Sequence, residues 1–382
     1  PEQATETIVG ICQRHEAKTV TRVKSMLGEE IGIGEALAEA GIERVETDLA
    51  EHIIQLADEP PSHIVVPAMH KTREEVADLF TAHHADPHKQ DDVAELVESA
   101  RRELRPKYVS ADVGISGANF LIADTGSICT VTNEGNGELT TTLPKVHIVN
   151  VGIEKLVPSM EHCAVFIRLL SRAALGTEIS QYTTYYNGPK RDGDVDGPQE
   201  LHIVLVDNRR TEILDGFMRP MLRCIRCGAC MNHCPVYNAV GGHPYGFVYP
   251  GPMGAILTPA MTSLEQAGDL PNACTLNGRC QEVCPVNIPL PDMMRRLREE
   301  PWRRNLTPKS MRFGLGFWGF AAKRPWLYRL GTRISVAALR GLAGTKGRLS
   351  SLPGAGGWTR HRDLTAPQRG TFMDQYKKGR RS

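Results

Sequence analysis

Up to about residue 220 the chain alternates between two hydrophobic periods. Short β-branched runs, TVTRV, IERVET and SHIVVPA, are each long enough for one strand, and between them lie EEIGIGEALAEAG and REEVADLFTAHH, whose apolar residues recur at helical spacing. This βαβ rhythm predicts an α/β fold with parallel strands buried between helices. Gly41 follows the apolar stripe of Ile33, Leu37 and Ala40 and predicts a helix end, because glycine enters the left-handed region without a Cβ clash. Thr72 and Glu75 have the spacing of a capping box.

From 109 to 152 the strands become closely spaced and are broken by Gly and Asn turns, which predicts a β-rich insert or an extension of the sheet. A helix is predicted over roughly 158–175 and strands near 181–186 and 201–206, with GPKRDGDVDGP between them as a surface loop. After Gly216 the chain becomes rich in cysteine, glycine and proline. Beyond 300 the spacing predicts helices over about 308–323 and 325–342, with Pro325 in a first turn, where its missing N–H costs nothing. The last forty residues predict little regular order.

The net charge of +1 hides a division of sign. Residues 301–382 hold 18 Lys and Arg against Asp363 and Asp374, which leaves 27 basic and 42 acidic residues in 1–300. A basic arm on an acidic body points to an anionic partner: another protein, the body itself, a lipid surface or nucleic acid. The longest strongly apolar run, GLGFWGFAA at 314–322, is far shorter than the roughly 20 residues a bilayer demands. The expected location is therefore cytoplasmic, with peripheral contact at the inner face of the cytoplasmic membrane through the basic tail as a further expectation.

Seven of the ten cysteines lie between Cys224 and Cys284, a clustering that favours metal over disulfides. Cys12, Cys129 and Cys163 lie in or beside apolar stretches and are expected to behave as small buried hydrophobes. Cys224, Cys227, Cys230 and Cys234 form C-x2-C-x2-C-x3-C-P, in which the first three thiolates hold one cluster and the fourth reaches another. Zinc motifs usually pair their ligands rather than crowd four into so short a stretch. The second motif has Cys274, Cys280 and Cys284 followed by Pro285, with Asn277 where a further thiolate would complete the pattern. Crossed ligation assigns Cys224, Cys227, Cys230 and Cys284 to a 4Fe-4S cluster and Cys274, Cys280 and Cys234 to its neighbour.

Three thiolates suit a 3Fe-4S cluster. The alternative is a second 4Fe-4S cluster whose unique iron takes water, Asn277 or another non-cysteine ligand. This C-x5-C-x3-C-P spacing resembles that of the iron-sulfur subunit of succinate dehydrogenase and fumarate reductase, where it holds a 3Fe-4S cluster beside a quinone. Three-iron clusters lie toward the upper part of the potential range, so electrons are expected to pass from the four-iron to the three-iron site and on to an acceptor of quinone level.

The chain also resembles the lactate utilization protein B family of LUD-domain iron-sulfur proteins over nearly its whole length. The resemblance is carried by RVKSMLGEEIG (22–32), VETDLAEHIIQLADEPPSHIVVPAMHK (45–71), ISGANFLIADTGSICTVTNEGNGELTTTLPKVHIVNVGIEKLVP (115–158) and DGPQELHIVLVDNRR (196–210). It continues through CIRCGAC, GGHPYG, YPGPMGAILTP and WTRHRDLTAP. The resemblance implies an NagB/RpiA/CoA-transferase-like LUD domain over 1–215, with its N-terminal part upstream of Ile8 expected to be mostly missing. It further implies an α-helical dicluster ferredoxin domain over 216–300, and a basic helical C-terminal extension fills 301–382. The implied function is that of a non-autonomous iron-sulfur subunit in L-lactate oxidation, with the other subunits of that complex as partners. Asn277 departs from the family, in which CGxC normally supplies a thiolate. A reading of a different class is that the α/β domain itself binds or transforms a small acid or acyl-CoA, the clusters being structural or sensory.

Among other residues, Glu134 in NEGNG resembles in position the catalytic glutamate of CoA transferases of related fold, and a turn role is the plainer expectation. Lys24, Ser25 and Glu29 stand at a strand-to-helix junction, where they would meet an anion or cap the helix. His83, His84 and His88 are expected at a solvated helix end, while His233 and His243 are candidates to hydrogen-bond cluster sulfur. The absence of Walker, G-x-G-x-x-G and G-x-S-x-G motifs leaves nucleotide binding and serine hydrolysis unsupported. In the tail, Phe313, Phe317, Trp318, Phe320, Trp326 and Tyr328 mingle with Arg312, Lys323, Arg324, Arg329 and Arg333. Such a surface suits a partner subunit, or else a lipid interface. No recognisable nucleic-acid module accompanies the charge.

Overall fold

The computed structural model describes residues 1–85, 92–352, 354 and 356–379, and it divides into two compact units, Pro1–Pro301 and Trp302–Ser382. In the first unit the strands are β1 (Thr19–Arg22), β2 (Glu43–Glu46), β3 (Val113–Gly117), β4 (Phe120–Ile122) and β5 (Ser127–Thr132), followed by β6 (Val146–Gly152), β7 (Leu156–Val157), β8 (Tyr182–Tyr186) and β9 (Glu200–Val206). Five of them form one sheet in the order β2-β1-β3-β6-β9, with every pair parallel. The other four form a smaller sheet, β7-β4-β5-β8, so the stretch 109–152 divides: β3 and β6 join the parallel sheet and β4 and β5 the smaller one.

Strands covered on both faces are buried throughout, and all seven residues of β6 are buried, His147 bonded to Ser116 and Asn150 to Ser25. On one side Ile8, Ile11 and Cys12 of the helix Glu2–Arg14 pack with Ile33, Leu37, Val113 and Ile148. Each fully buried aliphatic side chain there contributes about 1.5–3 kcal/mol by leaving water. On the other side the helix Asn136–Thr142 lies so close to β3 that a Cβ at Gly114 would fall 1.9 Å from the Thr140 carbonyl oxygen. That helix, in NEGNGELTTT, was not legible as one because its threonines favour strands.

Three other expectations change. EEIGIGEALAEAG is two helices, Met26–Ile31 and Ile33–Glu39, because Gly32 at φ +72° ends the first in a left-handed cap. SHIVVPA forms no strand: the backbone N–H groups of Val65 and Val66 both donate to His63 Nδ1, which closes a turn, and Ile64 packs into the core of the cysteine region. His84 is buried rather than solvated, stacked on Phe80 and hydrogen-bonded to His52 and Ser99. His83 is exposed, as expected, and His88 lies outside the described residues.

The capping box of Thr72 and Glu75 is present, and Gly41 adopts φ +71° just past its helix. Cys12, Cys129 and Cys163 are fully buried. In the second unit the helices Lys309–Ala322 and Pro325–Ala343 precede a two-stranded pair, β10 (Arg348–Leu349) with β11 (Leu364–Thr365). Ala343, Leu349 and Ala366 form a small core there, so this end has more order than its composition suggested. Among the described residues no helix is long and apolar enough to cross a membrane.

Candidate metal centre

The two cysteine motifs are repeats of one local structure. A 3-10 turn, Arg219–Arg223, leads into Cys224, and a second, Leu270–Ala273, leads into Cys274. Each motif then turns through two left-handed residues, Arg226 (φ +61°) and Gly228 (φ +77°) in the first, Leu276 (φ +56°) and Gly278 (φ +85°) in the second. A one-turn helix follows, Ala229–Asn232 or Arg279–Glu282, and then Cys234 or Cys284 before a proline. Between the repeats the helix Gly251–Met261 is buried along its whole length and supplies Met253, Ile256 and Leu257 to the shared core.

This repeat crosses the thiols between sites. Cys224, Cys227, Cys230 and Cys284 line one cavity, walled otherwise by apolar groups including Met221, Met253, Ile288 and Leu290. Burial pushes the Cys227 thiol up to about 11, with the nearby sulfurs of Cys224 and Cys284 adding to the rise. Burial likewise pushes Cys280 up to about 11, and here the contributing sulfurs are Cys274 and Cys234. Tyr245, 8% exposed, feels Cys234, Cys274 and Cys230 and so stands near both groups.

Backbone N–H groups point at sulfur: Tyr237 at Cys234 (3.5 Å), Leu276 at Cys274 (3.3 Å) and Ile288 at Cys284 (3.4 Å). Such donors favour thiolate over thiol. All seven cysteines are free of disulfides. Four thiols around an apolar cavity fit a four-iron cluster, since soft sulfur ligands and an apolar wall are what such a cluster takes, and iron would replace the protons that burial otherwise retains.

Asn277 occupies the place of Cys227 in the second repeat. Its Oδ1 accepts from Arg279 N at 3.2 Å, while Cys227 has the equivalent bond from Ala229 N. Cys227 is buried, whereas Asn277 is exposed, so this one position faces solvent in the second repeat and not in the first.

The cysteine region is held to the helices and loops around the parallel sheet by polar bonds. Arg210, from the helix after β9, donates to both carboxylate oxygens of Glu30 at 2.7 and 2.8 Å, and Tyr249 Oη donates to Glu30 at 2.6 Å. Burial opposes the charge on Glu30, yet Arg210 and Tyr249 hold its carboxyl below the ordinary range. Lys155 Nζ donates to the Cys224 carbonyl at 3.0 Å, and Tyr237 Oη to the Ser62 carbonyl at 2.8 Å. His243 Nε2 donates to the Pro60 carbonyl at 3.0 Å, so it anchors a loop rather than a sulfur, and His233 is exposed.

Lys24, Ser25 and Glu134 line a separate cavity of about 300 Å³ beside the first motif. Ser25 caps its helix by accepting from Gly28 N, Glu29 pairs with Arg22, and Glu134 accepts from Leu49 N at 3.1 Å. Sequence reasoning missed Glu30, Arg210, Lys155, Arg226 and Tyr249. Of these only Arg226, inside CIRC, had a signal in its position.

Residues 1–206 match the LUD domain and residues 220–288 the 4Fe-4S dicluster domain, which makes the chain an α/β LUD-domain protein carrying a dicluster ferredoxin module. It is similar to lactate utilization protein B of Shouchella clausii (strain KSM-K16), 43% identical over 98% of this chain and 79% of that protein. The counterpart of the same name in Bacillus subtilis (strain 168) is 42% identical over 98% of this chain and 78% of its own. An uncharacterized electron transport protein, YkgF, of Escherichia coli (strain K12) is 41% identical over 99% and 79%. The chain belongs to the lactate utilization protein B family.

Proposed function

We propose that this chain is the iron-sulfur electron-transfer subunit of a multi-subunit oxidoreductase that oxidises L-lactate or a related 2-hydroxy acid. The observation that carries the reading is the crossed grouping of the thiols, with Cys284 joining Cys224, Cys227 and Cys230, and Cys234 joining Cys274 and Cys280. The names of the relatives supply the link to lactate and to electron transport. In this reading residues 1–215 are the LUD-type domain, 216–300 the dicluster module and 301–382 a basic extension.

Cys224, Cys227, Cys230 and Cys284 would hold a 4Fe-4S cluster, and Cys274, Cys280 and Cys234 a 3Fe-4S cluster beside Asn277. When bound, these groups store and pass single electrons. The chain's own residues bury Cys227, Cys234 and Cys280, aim N–H groups at sulfur and leave Asn277 exposed beside the second group. A quinone or a partner's cofactor is the proposed acceptor, and the other proteins of lactate utilization are the proposed partners. The aromatic and basic surface of the extension would dock a partner subunit, since Phe313 (79% exposed), Phe317 and Trp326 need an apolar cover and the arginines an anionic one.

The test is electron paramagnetic resonance with iron analysis on anaerobically purified protein. Roughly seven irons per chain, a three-iron signal in the oxidised state and reversible reduction in the presence of the partner proteins are expected. About eight irons per chain would instead support a second four-iron cluster with a non-cysteine ligand. Substrate turnover by the lone subunit would favour the acid- or acyl-CoA-transforming alternative.

A further inference from the structure

We infer that the 300 Å³ cavity beside the first cysteine motif binds a small organic acid anion carrying a hydroxyl or oxo oxygen beside its carboxylate. The choice of acid rests on the proposed 2-hydroxy acid role; the site itself rests on the following geometry.

The cavity lies at the carboxyl ends of the parallel strands. After β1 the chain moves to one side to form β2, then returns across β1 to form β3 on the other. The segments leaving β1 and β3 therefore diverge, and such a switch point leaves a crevice in an open parallel sheet. Lys24 and Ser25 follow β1, Gly117 to Asn119 end and follow β3, and all of them line the cavity. Its far wall comes from the cysteine module, through Ile225, Arg226 and Tyr249.

The wall nearest the thiols has cationic donors to spare. Among the described residues Arg226 Nη1 is buried with no hydrogen-bond partner, and Nη2 lies 3.6 Å from Glu154, beyond hydrogen-bond range. Glu154 gives Oε2 to Arg210 and faces Arg226 through Oε1 as a loose ion pair, which leaves Nη1 unspent. The Arg226 guanidinium lies 4.4 Å above the Tyr249 ring, which fixes its plane. Lys155 spends one donor on the Cys224 carbonyl and can turn others to the cavity. A guanidinium with one buried, unspent donor beside an ammonium is matched by a carboxylate. Asp48 and Glu134 line the cavity as well, and their charge steers an anion's head toward Arg226 and Lys155.

Ile225 lines both this cavity and the one walled by Cys224, Cys227, Cys230 and Cys284. A bound acid would thus lie one side chain from the thiol group. The volume is at the small end of the range of roughly 300–1,000 Å³ usual for ligand sites, which suits a short acid with ordered water.

Calorimetric titration of iron-replete, anaerobic protein with L-lactate, pyruvate and the neutral analogue lactamide tests the site. Saturable binding of an acid without lactamide binding is expected, weakened about tenfold or more in Arg226→Gln and in Lys155→Gln at unchanged iron content. Should Arg226→Gln lose iron, Lys155→Gln carries the test, because glutamine can still donate to the Cys224 carbonyl. No saturable binding of either acid, equal binding of lactamide, or unchanged affinity in an iron-replete variant would overturn the inference. Iron content and reducibility of the same samples report separately on electron transfer: reducible protein that binds no acid refutes only the site, and protein that binds acid without reducible iron refutes only the conduit.

Discussion

Asn277 stands in the second cysteine repeat where Cys227 stands in the first, each between a left-handed residue and a left-handed glycine and each accepting a backbone N–H from two residues on. The backbone is therefore already shaped for a thiolate at 277. Asn277→Cys should convert the second site to a four-iron cluster without unfolding the loop. Iron per chain should rise by about one, and the three-iron paramagnetic signal should vanish. A variant whose iron content and signal match the wild type would separate residue 277 from the cluster.

Glu30 joins the α/β domain to the cysteine module through Arg210 and Tyr249, and its side chain is wholly buried. Removing one donor leaves the carboxylate partly satisfied, so Tyr249→Phe should cost about 1–2 kcal/mol. Glu30→Ala leaves the Arg210 guanidinium buried with only Glu154 as its carboxylate partner and should cost about 3–5 kcal/mol. Denaturant unfolding of iron-replete protein measures both, and the order Glu30→Ala above Tyr249→Phe is the specific expectation.

Glu51 is 3% exposed, and burial pushes its carboxyl up to about 8, with the charge of Glu46 adding to the rise. The folded state thus holds this proton more tightly than the unfolded chain. Its stabilising contribution is complete below the ordinary glutamate value of about 4.3 and is lost as pH rises to about 8. Glu51→Gln should be about 1–3 kcal/mol more stable than wild type at pH 8 and nearly equal to it near pH 4.5. Unfolding midpoints across this range check the slope.

All seven clustered cysteines lie in the unit Pro1–Pro301. A chain ending at Pro301 should keep its full iron content and visible spectrum. The same truncation should abolish capture of the lactate-utilization partner proteins if the basic aromatic helices are their dock. Sedimentation with vesicles of anionic lipid distinguishes the other use of that surface: loss of lipid binding with partner capture intact would assign the extension to a membrane.

The parallel strands were legible because their runs are dense in aliphatic residues, as in LHIVLV of β9, although this edge strand leaves Ile203 and Leu205 exposed. The thiol chemistry was legible because cluster ligation fixes ligand spacing along the chain. SHIVVPA misled because Ile64 and Val65 pack into the core of the cysteine region rather than into a sheet, and local periodicity carries no information about which core a side chain faces. His84 misled for a related reason: polar neighbours in sequence surround a ring whose partners, His52 and Ser99, are distant in sequence. Arg226 and Lys155 converge on one cavity from positions 71 residues apart, and only tertiary structure could bring them together.

Native mass spectrometry of Cys284→Ser, prepared anaerobically beside Cys234→Ser, tests the crossed grouping most directly. Cys284→Ser should lose or degrade the four-iron cluster formed with Cys224, Cys227 and Cys230 while keeping the mass increment of the three-iron cluster, and Cys234→Ser should do the reverse. The opposite pattern, with each substitution damaging the cluster of its own sequence motif, would contradict the crossed arrangement, and an iron-free or disulfide-linked wild type would remove the electron-transfer role altogether.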